Sequence, residues 1–138
     1  MDFTPEAVQQ DAGLVFYYDN MNYIYLRKYL SESLSGPAIM VQRMENGVRS
    51  EFDATPVDEG PLDLRLVIDG LECWMEWAPE GDGFRRIGPA FDTSELSDEY
   101  CRYGEFTGSM VGIACTDRLF HARHADFDFL EMLVGQPN

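Results

Sequence analysis

The sequence has little positive charge. Ten Lys and Arg residues stand against 25 Asp and Glu residues, so the formal net charge is -15 at pH 7. A surface of this sign repels phosphate backbones and anionic lipid headgroups. We therefore expect neither a nucleic acid nor a membrane surface as a partner.

Cysteine and long apolar runs are scarce as well. The three cysteines, Cys73, Cys101 and Cys115, form no CxxC pair, which argues against a disulfide framework and against a zinc knuckle. We interpret them as buried thiols in a reducing compartment. No apolar run reaches the length of a bilayer span, and the first ten residues lack the basic and apolar regions of a signal peptide. As it stands, the sequence predicts a cytoplasmic protein.

Sequence motifs that carry catalysis are missing. There is no GxSxG serine elbow and no glycine-rich loop with the spacing that cradles phosphate. We therefore predict no cofactor and no complete catalytic centre.

The two histidines, His121 and His124, lie close to Asp126 and Asp128. Their i, i+3 spacing suits a helix better than a strand, so His124, Asp126 and Asp128 are weak metal candidates and an ordinary solvated loop is the preferred interpretation. On a strand, the two aspartates would stand about 6.6 Å apart, which overlaps the carboxylate spacing of inverting glycosidases. Every acidic pair at i, i+2 has this property, so a solvated pair is preferred here too.

The pattern that is present is that of β-structure. A length of 138 residues and a hydrophobic fraction of 45% suit one domain with one core. Short runs of β-branched and aromatic residues alternate with Gly, Pro, Asn and Asp, and no segment keeps helical spacing for three turns. We predict an all-β fold of antiparallel sheets with a single domain over residues 1–138.

Residues 63–77 contain the clearest hairpin. Asp69 and Gly70 have the composition of a type I′ turn between two alternating strands, and pairing of Ile68 with Leu71 sets the register. One face of this hairpin is apolar and is predicted to enter the core: Leu64, Leu66, Ile68, Cys73 and Met75. The opposite face carries charged residues: Arg65, Asp69, Glu72 and Glu76.

A second hairpin is predicted between residues 12–18 and 22–30. Residues 14–18 are apolar on both faces, which indicates a central strand that is covered on both sides. Further strands are predicted at residues 36–47, 48–52, 83–87, 109–117 and 125–133. The polar residues 92–100 are predicted to contain a short turn or 3₁₀ piece.

Aromatic residues make up 13% of the chain. On the returning strand of the second hairpin Tyr23, Tyr25 and Tyr29 share one face, and Trp74 lies on the polar side of the first hairpin. Exposed aromatic rings stack on sugars and anchor protein interfaces. The other interpretation is that the tyrosines line the inner face of a sandwich. Periodicity alone does not separate the two.

Four blocks of sequence together resemble the C-terminal β-sandwich of family 43 glycoside hydrolases, the β-xylosidases and α-arabinofuranosidases. They are AGLVFYYDNMNYIYL, FDTSELSDEY, GEFTGSMVGIACTD and HADFDFLEM, which occur in that family's order. The resemblance implies a concanavalin-like or lectin-like jelly-roll sandwich that packs on a catalytic propeller. It also implies that Phe106 closes one side of the propeller's sugar pocket. The alternative is that Phe106 is a hydrophobic plug at the start of a strand.

The sequence departs from the family in two places. Family sandwiches usually have further strands before the segment that matches residues 1–7, so missing strands and open sheet edges are expected, and open edges favour pairing with another chain. Residues 116–128 also differ from the small and polar residues that are more usual there.

Three functions follow as hypotheses. The first is a non-catalytic accessory module whose partner is a glycoside hydrolase catalytic domain. The second is a stand-alone module that binds xylo-oligosaccharide through the tyrosines or Trp74. The third is an oligomerisation domain that forms a homo-oligomer through its open edges.

Overall fold

The computed structural model describes residues 1–6, 10–96, 110–117 and 125–127. These residues form eight strands: β1 (Gln10–Asp19), β2 (Asn22–Ser31), β3 (Gly36–Glu45), β4 (Val48–Pro56), β5 (Leu62–Asp69), β6 (Glu72–Pro79), β7 (Arg85–Asp92) and β8 (Met110–Asp117). A 3₁₀ turn covers Thr93–Leu96, inside the segment predicted to hold one. The prediction of an all-β chain is confirmed.

The strands form two antiparallel sheets. One has five strands in the order β4-β3-β2-β1-β8, and the other has three in the order β5-β6-β7. Strand β1 lies between β2 and β8, the central position that was predicted. Only one of its faces enters the core, however, and Val15 and Tyr17 on the other face are half-buried. The predicted sandwich of two antiparallel sheets is confirmed, whereas the jelly-roll connectivity stays a prediction.

Alternate side chains from both sheets meet in one core. The largest buried members come from all the central strands: Leu14, Phe16, Tyr18, Ile24, Leu26, Ile39, Val41, Met75 and Trp77. Full burial of an aliphatic side chain of this size stabilises the fold by about 1.5–3 kcal/mol. Contacts between β4 and β7 join the sheets at one side: the rings of Phe52 and Phe91 lie edge to face at 5.7 Å.

The turn between β3 and β4 has the sequence and the backbone conformation of a tight hairpin turn. Asn46 and Gly47 have φ angles of 46° and 85°. Positive φ at both central residues is the requirement of a type I′ hairpin turn, and Asn-Gly is its preferred sequence.

The first predicted hairpin forms, but its register is wrong by two residues. Asp69 pairs with Glu72 and Ile68 pairs with Cys73, so the turn consists of Gly70 and Leu71. Gly70 has a φ of 62°, and neither Asp69 nor Leu71 has a positive φ. Glycine at the first of two central positions is typical of a type II′ turn, which explains the shift.

A shift of two residues leaves the two faces of the hairpin unchanged. Cys73 and Met75 are fully buried, and Leu64 and Leu66 pack against the core, as predicted. Ile68 is the exception, with 52% of its surface exposed, because it lies at the end of β5 beside the turn. Of the thiols predicted to be buried, Cys73 is buried and Cys115 is exposed, and Cys101 lies outside the described residues.

Candidate functional site

The predicted tyrosines lie on one face of β2, as the alternation indicates. Ile24 and Leu26, which alternate with them, enter the core, so this face points away from the three-stranded sheet. The tyrosines therefore do not line the inside of the sandwich. We define the tyrosine face as the outer surface of the five-stranded sheet that is formed by Asp11, Tyr17, Tyr23, Tyr25, Arg27 and Tyr29.

The centre of the tyrosine face is tied together by its own side chains. The Tyr25 hydroxyl donates a hydrogen bond to Asp11 Oδ1 at 2.8 Å, and Arg27 Nη1 donates to Asp11 Oδ2 at 3.3 Å. The Arg27 guanidinium also lies 4.5 Å from the centroid of the Tyr29 ring. Tyr25 and Tyr29 are each only 8% exposed, so neither ring presents a free surface for stacking on a sugar.

This environment changes the ionisation of Tyr25. Burial, followed by the negative charge of Asp11 and the hydrogen bond to it, raises the pKa of the Tyr25 hydroxyl far above its usual value. The hydroxyl thus stays a proton donor, and its bond to Asp11 is part of the fold rather than an acid–base couple.

The other end of the tyrosine face is more open. The Tyr17 and Tyr23 rings stack with their centroids 6.3 Å apart, and both rings are half-buried. Tyr17 donates a hydrogen bond to Asn20 Oδ1 at 2.6 Å, and Tyr23 accepts one from Gln42 Nε2 at 2.8 Å. Of the three predicted sugar-facing tyrosines, only Tyr23 therefore has appreciable exposed ring surface.

An open depression of about 720 Å³ adjoins the tyrosine face. The polar and aromatic residues that line it are Arg27, Tyr29, Ser31, Glu32, Ser33 and Glu51. Arg27 Nε is buried and has no hydrogen-bond partner among the described residues, although Arg27 Nη2 lies 4.0 Å from Glu51 Oε1. The depression thus combines hydrogen-bond donors with two carboxylate acceptors, which are groups that bind hydroxyls.

Trp74 lies on the outer face of the three-stranded sheet, the polar side to which it was assigned. Its Nε1 donates a hydrogen bond to Glu76 Oε2 at 2.9 Å, and the Arg86 guanidinium lies 4.5 Å from its ring centroid. Arg65 Nε donates to Glu76 Oε1 at 2.7 Å, and the Arg65 guanidinium lies 3.8 Å from the Phe84 ring. We call these five residues the arginine–aromatic face.

Glu76 is the electrostatic centre of the arginine–aromatic face. Burial by itself would raise the pKa of the Glu76 carboxyl, but hydrogen bonds from Trp74 and Arg65 and the charges of Arg65 and Arg86 outweigh it and lower the pKa. A general acid of a glycosidase needs the opposite shift. This carboxylate therefore stabilises its neighbours and does not resemble a proton donor.

The sequence placed Arg65, Glu76 and Trp74 on this face, but it predicted neither their contacts nor the contributions of Phe84 and Arg86. In the predicted register Arg65 stands opposite Trp74, whereas in the structure it stands opposite Glu76. Placing Gly70 first in the turn gives the observed register, in which Arg65 and Glu76 stand opposite each other as an ion pair. This cross-strand pair of opposite charges could have identified the correct register.

Several predicted site residues lie outside the described residues: Phe106, His121, His124 and Asp128. Asp126 is described and exposed, and its backbone makes two hydrogen bonds with that of Asp2, at 2.8 and 2.9 Å. Within the described part of the chain, no group of three or more His, Cys, Asp or Glu side chains is placed to hold a metal ion. No helix in that part is long and apolar enough to cross a membrane.

Two facing antiparallel sheets define a lectin-like β-sandwich module. On its outer faces, arginines and carboxylates of the module itself contact most of the aromatic rings. Residues 1–132 match the family described as the β-xylosidase C-terminal concanavalin A-like domain. The chain belongs to this family, which confirms the resemblance seen in the sequence.

Named relatives support the same assignment. The chain is 33% identical to xylosidase/arabinosidase 43B of Humicola insolens, over 94% of this chain and 26% of the relative. It is 30% identical to a putative β-xylosidase of Escherichia coli K12, over 94% of this chain and 25% of the relative. A crystal structure of xylan β-1,4-xylosidase from Bacillus halodurans superimposes with a TM-score of 0.77 at 28% identity, covering 84% of this chain and 23% of that one. The chain thus spans about a quarter of the length of the relatives that it matches.

Proposed function

We propose that this chain is a non-catalytic accessory module of a β-xylosidase-like glycoside hydrolase. The observation that carries the proposal is the match of residues 1–132 to a family whose description places it at the C-terminus of β-xylosidases. In this proposal the sandwich packs on a catalytic propeller and stabilises it, while hydrolysis takes place on the propeller.

The chemistry of the described residues is consistent with a module that is inert alone. Inverting hydrolysis needs an acid with a raised pKa, a base and a closed sugar subsite. Glu76 is held ionised by Arg65 and Trp74, and Asp11 is held between Tyr25 and Arg27. These two carboxylates are therefore engaged in structural bonds.

Assay of the isolated chain tests this proposal. We expect no turnover of aryl β-xylosides or aryl α-arabinosides above the buffer rate. Turnover that a single carboxylate substitution abolishes would refute the assignment as an accessory module.

The finer part of the proposal concerns Phe106, which we expect to close one side of the propeller's sugar pocket. The test is a chimera in which this chain replaces the matching quarter of the E. coli putative β-xylosidase. Loss of one aromatic contact of about 1.4 kcal/mol in the Phe106→Ala chimera would lower kcat/KM on xylobiose about tenfold. Phe84→Ala, a change on the arginine–aromatic face, is the control. Equal activity of the Phe106→Ala and parent chimeras would remove the pocket role.

A second candidate function is binding of xylo-oligosaccharide, and the depression beside Tyr29 favours it. Arg27 and Glu51 offer hydrogen-bonding groups of both kinds at this place. Titration with xylotetraose should shift the NMR signals of Arg27 and Tyr29 and leave those of Trp74 unchanged. The absence of any shift at millimolar sugar would eliminate this candidate.

A further inference from the structure

Two hairpin turns lie side by side at one end of the five-stranded sheet. Asn20 and Met21 connect β1 to β2, and Asn46 and Gly47 connect β3 to β4. The turns meet because β2 and β3 are neighbours in the sheet. The second turn contains the sequence Asn-Gly, which occurs nowhere else in the chain.

Asn-Gly is a chemically reactive sequence because glycine places no side chain beside its own backbone nitrogen. When that nitrogen loses its proton to hydroxide, it can attack the Cγ atom of the asparagine. The new N–Cγ bond closes a five-membered succinimide ring, the Cγ–Nδ2 bond breaks, and Nδ2 takes up a proton and leaves as ammonia. Water then adds to one of the two ring carbonyls and breaks its bond to nitrogen, which gives aspartate or isoaspartate.

In the structure the first turn holds both reacting groups of the second. Gly47 N, the nucleophile, donates a hydrogen bond to Met21 O at 3.0 Å. Asn22 is fully buried and bonds to Asn46 twice: Asn46 N donates to Asn22 Oδ1 at 2.9 Å, and Asn22 Nδ2 donates to Asn46 Oδ1 at 3.4 Å. Ring closure requires Asn46 to rotate about ψ out of the type I′ conformation, and the bonds to Asn22 oppose that rotation.

Asp19 fixes the position of Asn22 and sets the charge beside the second turn. Asp19 Oδ1 accepts hydrogen bonds from Met21 N at 2.8 Å and from Asn22 Nδ2 at 3.2 Å. Asn22 Nδ2 thus bonds to an oxygen of Asp19 and to an oxygen of Asn46. The other carboxylate oxygen, Asp19 Oδ2, is buried and has no hydrogen-bond partner among the described residues. A carboxylate in place of the Asn46 amide would therefore stand close to a like charge, which is unfavourable.

We propose that Asn46 is a deamidation site whose reaction is controlled by the turn between β1 and β2. While Asn22 and Met21 O hold the second turn, Asn46 keeps its amide. When the contact between the two turns opens, Gly47 N attacks Asn46 Cγ. The product carries a carboxylate near Asp19, so the contact re-forms more weakly than before. The inference goes beyond the proposed function, because it requires neither a sugar nor a catalytic domain.

The test incubates the parent chain, Asn22→Ala and Gly70→Ala at pH 8.5 and 37 °C. Asn22→Ala removes both side-chain bonds to Asn46, whereas Gly70→Ala strains a turn of the other sheet and leaves these bonds in place. A free peptide with the sequence of residues 41–52 gives the rate of the unrestrained Asn-Gly pair. Peptide mass mapping measures the conversion at Asn46, and labelling with an isoaspartyl methyltransferase identifies isoaspartate.

We expect the parent chain and Gly70→Ala to react about tenfold more slowly than the peptide, and Asn22→Ala to approach the peptide rate. A parent chain that reacts as fast as the peptide would overturn the proposal, and so would equal rates in the two variants. If Asn22→Ala does not fold, amide hydrogen exchange at Gly47 of the parent chain is measured instead. Exchange slower than in the peptide supports control through Met21 O, and equal exchange contradicts it.

Discussion

Single residues show how closely the strands of the larger sheet approach. Gly13 lies in β1 opposite Arg27 of β2. A Cβ atom added to Gly13 would lie 1.8 Å from the backbone oxygen of Leu26, a distance that only movement of a strand could relieve. The position therefore requires glycine because of space, not because of its φ angle.

Gly13→Ala is predicted to destabilise the chain by about 3 kcal/mol, since the clash is with backbone and a rotamer change cannot remove it. Urea unfolding followed by tryptophan fluorescence measures the change. Gly112→Ala is the matched control, because it lies in the neighbouring strand β8 with nothing within 4 Å of an added Cβ, and it should shift stability by less than about 0.5 kcal/mol. Similar losses in the two variants would contradict the steric explanation.

Tyr25 carries a prediction about alkaline pH. Its folded-state pKa is raised, first by burial and then by Asp11, above the ordinary tyrosine value of 10.0 that applies to the unfolded chain. Above pH 10 the unfolded state releases this proton while the folded state keeps it. The contribution of Tyr25 is therefore complete below pH 10 and is lost progressively as the pH rises beyond that value.

We expect the free energy of unfolding to fall more steeply between pH 10 and 11 in the parent chain than in Tyr25→Phe. The difference in slope should approach that of one proton, about 1.4 kcal/mol per pH unit. Equilibrium urea unfolding at pH 9, 10 and 11 measures it. Tyr17→Phe, at the exposed end of the tyrosine face, is the control. Parallel pH profiles for the parent chain and Tyr25→Phe would contradict the assignment.

At the scale of elements, the hairpin of β5 and β6 depends on its turn. Gly70 has a φ of 62° and nothing within 4 Å of an added Cβ, so only its backbone conformation restricts the residue. Gly70→Ala is predicted to destabilise by about 1–2 kcal/mol because an L-residue pays a steric penalty at positive φ. Gly83→Ala, which has open space and no positive φ, should be nearly neutral. Thermal unfolding compares the two, and a neutral Gly70→Ala would contradict the positive φ angle at this position.

The sequence predicted which residues share a face more reliably than it predicted which face lies inside. Alternation placed Tyr23, Tyr25 and Tyr29 together because the side-chain period of a strand is two residues. Alternation did not determine whether the tyrosines lie inside or outside the sandwich, because β2 carries apolar or aromatic side chains on both faces. In addition, Asp11 and Arg27 cover the outer tyrosines. Which face is buried depends on where the second sheet lies, and that is not a local property.

The candidate site was predicted less completely than the fold. Trp74 was assigned to the correct face, but Arg65 comes from β5, whose register was predicted with an error of two residues, and Arg86 comes from β7, whose register the sequence left open. In β6 and β7 the pairing shifts between Cys73 and Met75, and such an irregularity has no signature in single-sequence alternation. The role of Phe106 came from family resemblance alone and stays a prediction.

At the scale of the whole molecule, the dominant feature is the net charge of -15. Self-repulsion of this size destabilises a compact state, and salt reduces it. One local instance is visible at the end of the first hairpin, where Asp69 and Glu72 face each other directly and are both exposed. Like charges directly opposite on paired strands are destabilising.

The parent chain should therefore become more stable, on the order of 1 kcal/mol, when NaCl rises from 10 to 200 mM, since the screening length falls from about 30 Å to less than 10 Å.

Glu72→Lys converts the repulsive pair with Asp69 into an attractive one. This variant should therefore be more stable than the parent at 10 mM NaCl by about 0.5 kcal/mol, and it should gain less stability from added salt. Glu80→Lys, just after β6, makes the same change of two charge units at an exposed residue outside the paired strands, and it separates the general charge effect from the pair effect. Urea unfolding at both salt concentrations measures all three proteins. A parent chain that loses stability with salt would show that attractive pairs such as Arg65 with Glu76 outweigh the net repulsion.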